Sequence, residues 1–291
     1  MAKAIDLSII ILNYNTRFWL KKTLSSLEER ILSQTKYQIE VIVVDNNSTD
    51  GSQNLVKSEF PGIQLIARTV NDGFAAGNNV ALKIARGRYQ ALCNSDIEFE
   101  PTTDLDQLLD YLDSKPAIGA LTPRIELPTG QLDPACHRGE PTLLRTFFYF
   151  TGLSKLFPKH PQIAGYHLGH LDLSQPHQIE ACSGAFMIVR KEVIDEVGLL
   201  DERFFMYAED LDWCKRIREA GHLIVFYPHV ALTHHKYKSG LGSDSAKLSQ
   251  KTRDYFYDTM GQYYDKHYAS QYPTWLNWLV NKILIIKRRI A

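Results

Sequence analysis

The first hundred residues alternate between short, continuous apolar runs rich in isoleucine and valine and segments in which apolar residues recur with helical spacing. Continuous apolar strands separated by helices predict a parallel sheet covered by helices on both faces. The pattern therefore indicates an α/β protein from its first strand onward. The predicted elements are strand 9–12, helix 17–30, strand 40–44, helix 52–59, strand 63–67, helix 77–86 and strand 89–93.

The pattern weakens between about residues 126 and 180, where Pro, Gly and His are frequent around one apolar segment, 143–157. We interpret this region as an elaboration on the sheet rather than a separate domain. On either side of it the alternation of helices and strands is clear. The elements predicted there are helix 102–113, strand 119–122, strand 185–189, helix 191–197, helix 209–220 and a last buried strand, 223–227.

The chain ends in an aromatic and amphipathic tail. In the last segment, Asn277, Asn281 and Arg288 fall on one helical face, and another face carries Trp275, Trp278, Leu279, Ile283 and Ile286. This pattern is typical of a helix docked on its own domain or in a dimer. It is equally typical of an interfacial helix, with Trp at headgroup depth and the basic residues 287–289 facing anionic lipid. No run of 18 uninterrupted apolar residues predicts a membrane span.

Composition narrows the class of protein further. Lys and Arg together number 33 and are balanced by 33 Asp and Glu, which argues against a protein that coats nucleic acid. About 44% of the residues are apolar, enough for a substantial core. No two of the four cysteines have CxxC spacing, so a reducing compartment is the simpler interpretation; they are Cys93, Cys136, Cys182 and Cys214.

Polar residues follow three of the predicted strands, at the edge where parallel sheets bind ligands. They are residues 13–15, 45–48 and 94–96. Asp45 is either part of a polar turn or a carboxylate that meets the base or ribose of a nucleotide. Asp96 is either a turn cap or a ligand of Mg²⁺ or Mn²⁺, whose other ligands would be water and phosphate oxygens.

The segment 71–79 is a glycine-bearing loop that leads into a helix. It lacks the lysine of a phosphate-binding P-loop and the GxGxxG spacing, which disfavours an ATPase and a dinucleotide-dependent oxidoreductase. Gly73 and Gly77 are equally explained by a turn and a close helix contact.

The most informative cluster is Glu209, Asp210 and Asp212 at a predicted helix start. Such acids are often no more than favourable partners of the helix dipole. The aromatic run 204–207 just before them instead suits a sugar ring beside a general base. Two histidines, His234 and His235, are either surface or core residues, or one of them completes the coordination of an ion such as Mn²⁺.

Taken together, these segments resemble the inverting family 2 glycosyltransferases of GT-A fold, and in particular the rhamnosyltransferase-like branch that builds bacterial surface polysaccharides. The resemblance covers about residues 6–240. It implies a Rossmann-like, mostly parallel central sheet flanked by helices, followed by a C-terminal helical tail. The motifs that carry it, in order, are SIIILNYN, VIVVDNNSTDGS, NDGFAAGNN, LCNSD, CSGAFMIVRK, GLLDERFFMYAEDLDWCKRIREAG and PHVALTHHKYKSG.

The resemblance also implies a domain division and a set of site residues. Residues 1–240 form the glycosyltransferase domain, with a nucleotide-binding half, 1–100, and an acceptor and catalytic-base half, 101–240; the tail is 241–291. Asp210 is the catalytic base. Its supporting residues are Glu209, Ser183 and Gly184. The nucleotide-binding residues are Asn13, Asn15, Asp45, Asn71 and Asn94. The metal ligands are Asp96 and His234; His234 lies five places before Ser239, and His235 is the alternative to it.

The implied reaction is a single displacement with inversion. Asp210 takes the proton of an acceptor hydroxyl, which attacks the sugar as the nucleoside diphosphate leaves, and Mg²⁺ or Mn²⁺ stabilises the leaving group. The donor carries UDP or dTDP, and the acceptor is a glycan or polyprenyl-linked hydroxyl. This implies a cytoplasmic enzyme, peripheral on the inner face of the cytoplasmic membrane.

Two positions depart from the family pattern, and they leave part of the specificity open. Asn94 replaces the first acid of a DxD motif, and Ala181 and Cys182 stand where an aromatic residue often precedes the SGA turn. Donor sugar, linkage and oligomeric state are therefore open. The competing functions are a catalytically silent nucleotide-sugar binding protein or scaffold, and a nucleotidyltransferase, although no basic glycine-rich loop follows the first strand.

Overall fold

The computed structural model describes residues 4–236 and 246–290, and within these residues nine strands form one sheet. The strand order is β3-β2-β1-β4-β8-β6-β9-β5, with β7 paired to β9. The strands are β1 Leu7–Asn13, β2 Ile39–Asp45, β3 Gln64–Ala67, β4 Tyr89–Asn94, β5 Ile97–Phe99, β6 Ile118–Glu126, β7 His177–Ile179, β8 Phe186–Arg190 and β9 Leu223–His234.

Helices pack around this sheet and continue beyond it. A π-helical turn, Glu28–Leu32, extends the first helix. The helices are α1 Arg17–Leu27, α2 Ser52–Glu59, α3 Phe74–Leu82, α4 Leu105–Ser114, α5 Leu143–Phe150, α6 Leu153–Leu156, α7 Lys191–Val197, α8 Glu209–Glu219, α9 Ala246–His267 and α10 Thr274–Ile290.

The first four strands pair in parallel, as the alternation of apolar strands and helices predicts. β8 then enters antiparallel to both β4 and β6, and β6 pairs in parallel with β9. Ile9, Ile10 and Ile11 on β1 are all fully buried, because helices cover both faces of the sheet. The predicted α/β fold class with flanking helices and a C-terminal helical tail is confirmed.

Element boundaries agree best where one local pattern decides them. Helices 52–59 and 191–197 have the predicted bounds. The last strand was expected to end at residue 227, but β9 continues to His234 across a register shift that skips residues 228–230. Pro228 has no N–H for a sheet ladder, so the sequence reads as a strand end although pairing resumes beyond it.

Two short strands, β5 and β7, have no counterpart among the predicted elements. Each has three residues and pairs antiparallel with β9, a partner distant in sequence. Their strand conformation therefore depends on the presence of β9 rather than on their own apolar pattern. β5 matters for the site, since it sets Ile97 opposite His234 and brings Asp96 to the end of β9.

A close backbone contact joins the loop before α3 to the segment before α8. The Phe74 N–H donates to the Phe205 carbonyl at 2.6 Å, and Asn46 Nδ2 donates to the Gly73 carbonyl at 3.0 Å. Gly73 has φ +101°, and a Cβ there would lie 2.2 Å from the Phe205 oxygen. Only glycine allows this approach.

The last two helices form an antiparallel pair. Tyr264 on α9 donates to Asn277 Oδ1 on α10 at 2.5 Å, and Arg288 reaches back to Asp254. Tyr263, Tyr264 and Tyr268 of this pair pack with Phe204 and Ala208, just before α8. Within the described residues, no helix is both long and apolar enough to cross a membrane.

The contact at Gly73 gives a test of the fold. We expect Gly73→Ala to lower the free energy of unfolding by about 2–5 kcal/mol, because strain at positive φ adds to overpacking against the Phe205 backbone. Gly130→Ala is the matched control: it also has positive φ, +77°, but a Cβ there meets nothing within 4 Å. Its expected cost is about 1–2 kcal/mol. Urea unfolding measures both, and equal costs would contradict the contact.

Candidate active site

The register of β1 with its two neighbours sets the first part of the site. Asn13 at the end of β1 lies opposite Asp45 at the end of β2, and Leu12 lies opposite Asn94 on β4. The three strands are parallel, so their carboxyl ends meet at one edge of the sheet. Asn13, Asp45 and Asn94, which are far apart in sequence, are therefore neighbours.

Asp45 is fully buried, and both of its carboxylate oxygens are hydrogen-bonded. Asn13 Nδ2 donates to Oδ2 at 2.7 Å, and Ser48 N and Gln53 Nε2 donate to Oδ1 at 2.9 and 2.8 Å. These three donors satisfy the hydrogen-bonding needs of a carboxyl group that is shielded from water. Asp45 therefore holds the loops after β1 and β2 in place around it.

Asn15 and Asn71 shape these loops rather than contacting Asp45. Asn15 has a left-handed backbone conformation, φ +53°, is exposed, and accepts from Thr49 N at 2.8 Å. Asn71 Oδ1 accepts from Gly73 N at 3.1 Å and lies 3.4 Å from Asn46 Nδ2. Both residues thus lie on loops around the nucleotide side of the predicted site.

A hydroxyl chain connects the Asp45 side to Asp96. Thr16 Oγ1 donates to Asn13 Oδ1 at 2.6 Å and lies 2.7 Å from Ser95 Oγ, next to Asp96. Thr16 and Ser95 were not predicted as site residues, although both lie in polar segments that directly follow strands. They link the two halves that the sequence motifs treat separately.

Asp96 and His234 meet at the junction of β4, β5 and β9. His234 Nε2 lies 3.2 Å from Asp96 Oδ1 and 3.4 Å from Asn94 Nδ2, and its Nδ1 lies 3.0 Å from Asp133 Oδ2. Asp96 and His234 are both buried. Burial disfavours the imidazolium, but the hydrogen bonds to Asp133 and Asp96 outweigh it and raise the pKa of His234 to about 9.

Asp133 is another residue that the sequence analysis missed, after Thr16 and Ser95. It caps the 3₁₀ turn Pro134–Cys136 and also binds Lys236 at 2.9 Å. Burial disfavours its charged form, yet the hydrogen bond from His234 and the charge of Lys236 keep the pKa of Asp133 well below its ordinary value. The Asp-Pro pair signals a turn, but nothing local signals a histidine partner.

The neighbouring histidine has different partners. His235 Nε2 lies 2.8 Å from Glu98 Oε2, and its ring stacks on Trp19 with centroids 4.3 Å apart. Successive residues at a strand end point to opposite sides, so only one of the pair can face Asp96. His234 is that residue; Ser239, the other part of this motif, lies outside the described residues.

Carboxylate and neutral imidazole are ligand types that suit Mn²⁺, and the carboxylate alone suits Mg²⁺. His234 Nε2 lies 3.2 Å from Asp96 and must lose its proton before that nitrogen can bind an ion. Among residues 4–236 and 246–290 no group of three or more His, Cys, Asp or Glu side chains is arranged to hold a metal ion. An ion at Asp96 and His234 would therefore take its remaining ligands from water and phosphate oxygens, which fits an ion that arrives with a nucleotide.

The three acids at the start of α8 have three different environments. Asp212 is fully buried and structural: its carboxylate pairs with Arg216, Lys266 and His267 at 2.9, 2.5 and 2.7 Å. Burial disfavours its charged form, but the hydrogen bonds from His267 and Lys266 outweigh this and lower the pKa of Asp212 to about 2.

Glu209 and Asp210 differ although they are adjacent. Burial, and then the charge of Asp210, raise the pKa of Glu209 well above its ordinary value, and its Oε2 meets no hydrogen-bond donor among the described residues. Asp210 Oδ2 accepts from Arg138 Nη2 at 2.8 Å. The two neighbouring acids therefore differ in their surroundings: burial favours the protonated form of Glu209, and Asp210 is paired with Arg138.

Arg138 is the fourth residue that sequence reasoning missed. It lies in the segment 126–180, where the pattern weakens, and its backbone bridges to Ala181, two residues before Ser183. The chain just before Asp210 is strained, because Tyr207 and Ala208 both have positive φ, +70° and +68°. Strain of this kind in non-glycine residues clusters at functional sites.

The turn Ser183-Gly184 connects the two ends of the site. Ala185, which follows it, accepts from Asn94 N at 2.9 Å, and Cys182, which precedes it, accepts from Cys214 Sγ on α8 at 3.7 Å. A Cβ on Gly184 would meet the Phe74 ring at 3.0 Å, so the turn packs closely on α3. A continuous chain of contacts therefore runs from Asp45 through Asp96 to the helix that carries Asp210.

Two solved structures share this fold. The mannosyltransferase PcManGT from Pyrobaculum calidifontis, in complex with GDP-Man and Mn²⁺, superposes with a TM-score of 0.58 at 17% identity, over 91% of this chain and 64% of that one. GalNAc-T7 with UDP, GalNAc and Mn²⁺ gives a TM-score of 0.60 at 15% identity, over 98% of this chain and 55% of that one. At these identities the likeness shows the fold alone.

The sequence comparisons show the family as well as the fold. The N-acetylglucosaminyl-diphospho-decaprenol L-rhamnosyltransferase of Mycobacterium tuberculosis is 30% identical over 251 residues, which is 82% of this chain and 79% of that protein. The glycosyl transferase family 2 model matches residues 8–198, a range that includes β2 to β4, all but the first residue of β1, and the turn Ser183-Gly184. The predicted family resemblance is thus confirmed, and the chain belongs to glycosyl transferase family 2 as a rhamnosyltransferase-like glycosyltransferase.

Proposed function

We propose that this protein is an inverting glycosyltransferase that moves a hexose, with rhamnose as the first candidate, from a UDP or dTDP donor to a hydroxyl of a lipid-linked glycan. The chain of contacts that joins Asp45, Asp96 and Asp210 carries the proposal. The similarity to a rhamnosyltransferase named for a diphospho-decaprenol acceptor supports both the sugar and the acceptor class.

In the proposed reaction, Asp210 accepts the proton of the acceptor hydroxyl while that oxygen forms a bond to the anomeric carbon. The bond from this carbon to the diphosphate breaks on the opposite side, so the configuration inverts. Asp210 suits the part because it lies in the first turn of α8 and its Oδ2 is oriented by Arg138. The raised pKa of Glu209 disfavours a second negative charge beside it.

Arg138 is a positioning residue in this scheme. Its backbone bridges to Ala181, and its guanidinium donates one N–H to Asp210 Oδ2. The other carboxylate oxygen, Oδ1, accepts from the Leu211 N–H at 2.7 Å. A base placed this firmly needs little reorganisation when the acceptor arrives.

Asn13, Asn15, Asp45, Asn71 and Asn94 form the donor side of the proposal, with Asp45 ordering the loops that contact the nucleotide. Asp96 and His234 would hold Mg²⁺ or Mn²⁺, which would neutralise negative charge on the departing diphosphate. Ser183 and Gly184, between this group and α8, would line the space for the sugar and acceptor. We assign residues 1–100 and 101–240 to the donor and acceptor halves of one domain.

A lipid-linked acceptor requires a membrane nearby. We therefore place the enzyme at the inner face of the cytoplasmic membrane, with α10 as a point of contact. The alternative function is a catalytically silent nucleotide-sugar binding protein or scaffold. It requires the same donor contacts but no base, and the strained turn that presents Asp210 favours the enzyme.

The first test replaces the base. Asp210→Asn should lower transfer by at least about 10²- to 10⁴-fold, because the amide cannot accept the proton. Donor affinity, measured by titration calorimetry, should stay within about twofold of wild type. Glu192→Gln, an exposed acid in the first turn of α7, is the matched control and should keep full activity. Retained turnover in Asp210→Asn would refute the assignment of Asp210 as the base. If the wild-type protein neither transfers nor slowly hydrolyses any donor of a nucleotide-sugar panel, the alternative function, a silent binding protein, is favoured.

The second test separates positioning by Arg138 from mere stability. Arg138→Gln should lower kcat by about 10- to 100-fold with little change in donor Kd, since it leaves Asp210 without its charged partner. Arg138→Lys keeps the charge but not the planar fork, and should recover part of kcat. Losses of kcat that simply follow the unfolded fraction of each variant would leave Arg138 with a structural role only.

The third test distinguishes the two histidines. His234→Gln should weaken Mn²⁺-dependent donor binding by about tenfold or more, because it removes one of two protein ligands. His235→Gln should leave it unchanged. Thermal shifts at fixed donor, with Mn²⁺ or with EDTA, measure the difference, since tenfold weaker binding lowers ligand stabilisation by about 1.4 kcal/mol. Equal effects of the two substitutions would argue against an ion at Asp96.

A further inference from the structure

Most of the exposed large apolar side chains in the described part of the chain lie on two neighbouring structures, the pair α5–α6 and the helix α10. We call their outer surface the basic apolar face. Its apolar members are Leu144, Phe147, Tyr149, Leu156, Phe157, Trp275, Trp278, Leu279, Ile283, Ile285 and Ile286, each at least 40% exposed.

α10 is oriented opposite to an ordinary surface helix. Its hydrogen-bonding residues face the protein: Asn277 binds Tyr264 and the Ala269 carbonyl, and Arg288 binds Asp254 and Asp258 at 2.7 and 2.6 Å. Trp275 and Trp278, in contrast, are 66% and 62% exposed. Exposing two tryptophans is unfavourable in water, so this orientation indicates that another apolar phase covers the outer side.

α5 and α6 extend the same surface. Leu156 is 73% exposed and Phe147 is 56% exposed. The two structures adjoin, because Lys287 Nζ of α10 lies 5.4 Å from the centre of the Phe150 ring. Leu143 of α5 and Val280 of α10 also pack on the same small apolar cluster before α8.

The charge of this surface is one-sided. Residues 141–171 and 268–291, which contain all three helices, include no Asp or Glu. The chain as a whole is neutral, so the rest of it carries seven more acidic than basic residues. The seven basic residues of the two segments are Arg145, Lys155, Lys159, Lys282, Lys287, Arg288 and Arg289.

These charges decide between the occupants of the face. Arg145 and Arg288 are already paired within the chain, with Glu180 and with Asp254 and Asp258. A second copy of the chain would bring the other five like charges against five, which is unfavourable. A bilayer with anionic lipids supplies apolar depth for the tryptophans and leucines and negative headgroups for the Lys and Arg side chains. We infer that α5, α6 and α10 together form one surface that lies on an anionic membrane.

The basic apolar face lies near the start of α8, and this position indicates how it would serve the reaction. The cluster that anchors Leu143 and Val280 contains Phe204 and Ala208, and Ala208 is the N-cap of the helix that carries Asp210. An acceptor whose lipid stays in the bilayer would therefore present its hydroxyl close to the base. This consequence rests on the proposed function, whereas the membrane surface itself does not depend on the transfer reaction.

The experiment uses the full chain and sedimentation with vesicles of phosphatidylcholine alone or with about 30% phosphatidylglycerol. Wild type should partition at least tenfold more strongly to the anionic vesicles, and added salt should reduce this preference. Phe147→Ser with Leu156→Ser, and separately Trp275→Ser with Trp278→Ser, should each lower the partition coefficient about tenfold or more. Ile84→Ser removes an exposed apolar residue of another surface and should have no effect.

The outcomes of this experiment distinguish the membrane surface from a smaller surface and from a dimer interface. If only the α10 pair affects binding, α5 and α6 are not part of the surface. If neither pair does, or if the substitutions dissolve a dimer seen by analytical ultracentrifugation without affecting vesicle binding, the membrane surface is wrong. Asp210→Asn should bind vesicles as wild type does, so a failure of the proposed catalysis would not be mistaken for a failure of this inference.

Discussion

The site depends on the residue-by-residue pairing of β1 between β2 and β4. This pairing sets Asn13 opposite Asp45 and Leu12 opposite Asn94, and the apolar residues of β1 are buried under helices on both faces. A slip of one residue would move every side chain of β1 to the opposite face of the sheet. The hydrogen bond from Asn13 to Asp45, and through Thr16 and Ser95 the link to Asp96, would then be lost.

Buried acids serve different purposes along this chain because their partners differ. Asp45 and Asp212 are fully buried and surrounded by donors, so these two carboxyl groups hold neighbouring segments in place. Asp210 is paired with Arg138, and burial raises the pKa of Glu209. Three acids within four residues of α8 therefore have three different surroundings, and Asp210 is the one that we propose as the base.

The outer helices show a similar division between stability and interaction. Tyr263 of α9 and Tyr268, just after α9, are buried against the segment before α8, which fastens the tail to that helix. The polar side chains of α10 bind α9, and its tryptophans are exposed on the outer side. Such a helix loses hydrophobic stabilisation in water and regains it only where an apolar phase is present.

Local sequence by itself determined much of this protein. The isoleucine-rich run of β1 and the bounds of α2 and α7 follow from apolar periodicity, and the ordered motifs around Asp45, Asp96 and Asp210 were enough to identify the family. These features are encoded within short stretches of the chain, where the spacing of side chains and the residues at turns act directly. The amphipathic pattern of α10 could also be read, although not which of its faces meets the protein.

The contacts between residues that are distant in sequence follow from the folded structure alone. Arg138 lies in a segment without a clear pattern, and its pairing with Asp210 spans 72 residues. β5 and β7 are strands only because β9 is beside them, and the shift at Pro228 sets the register that turns His234, rather than His235, toward Asp96. Long-range pairing and the facing of a side chain depend on which surfaces meet, and no local spacing encodes that.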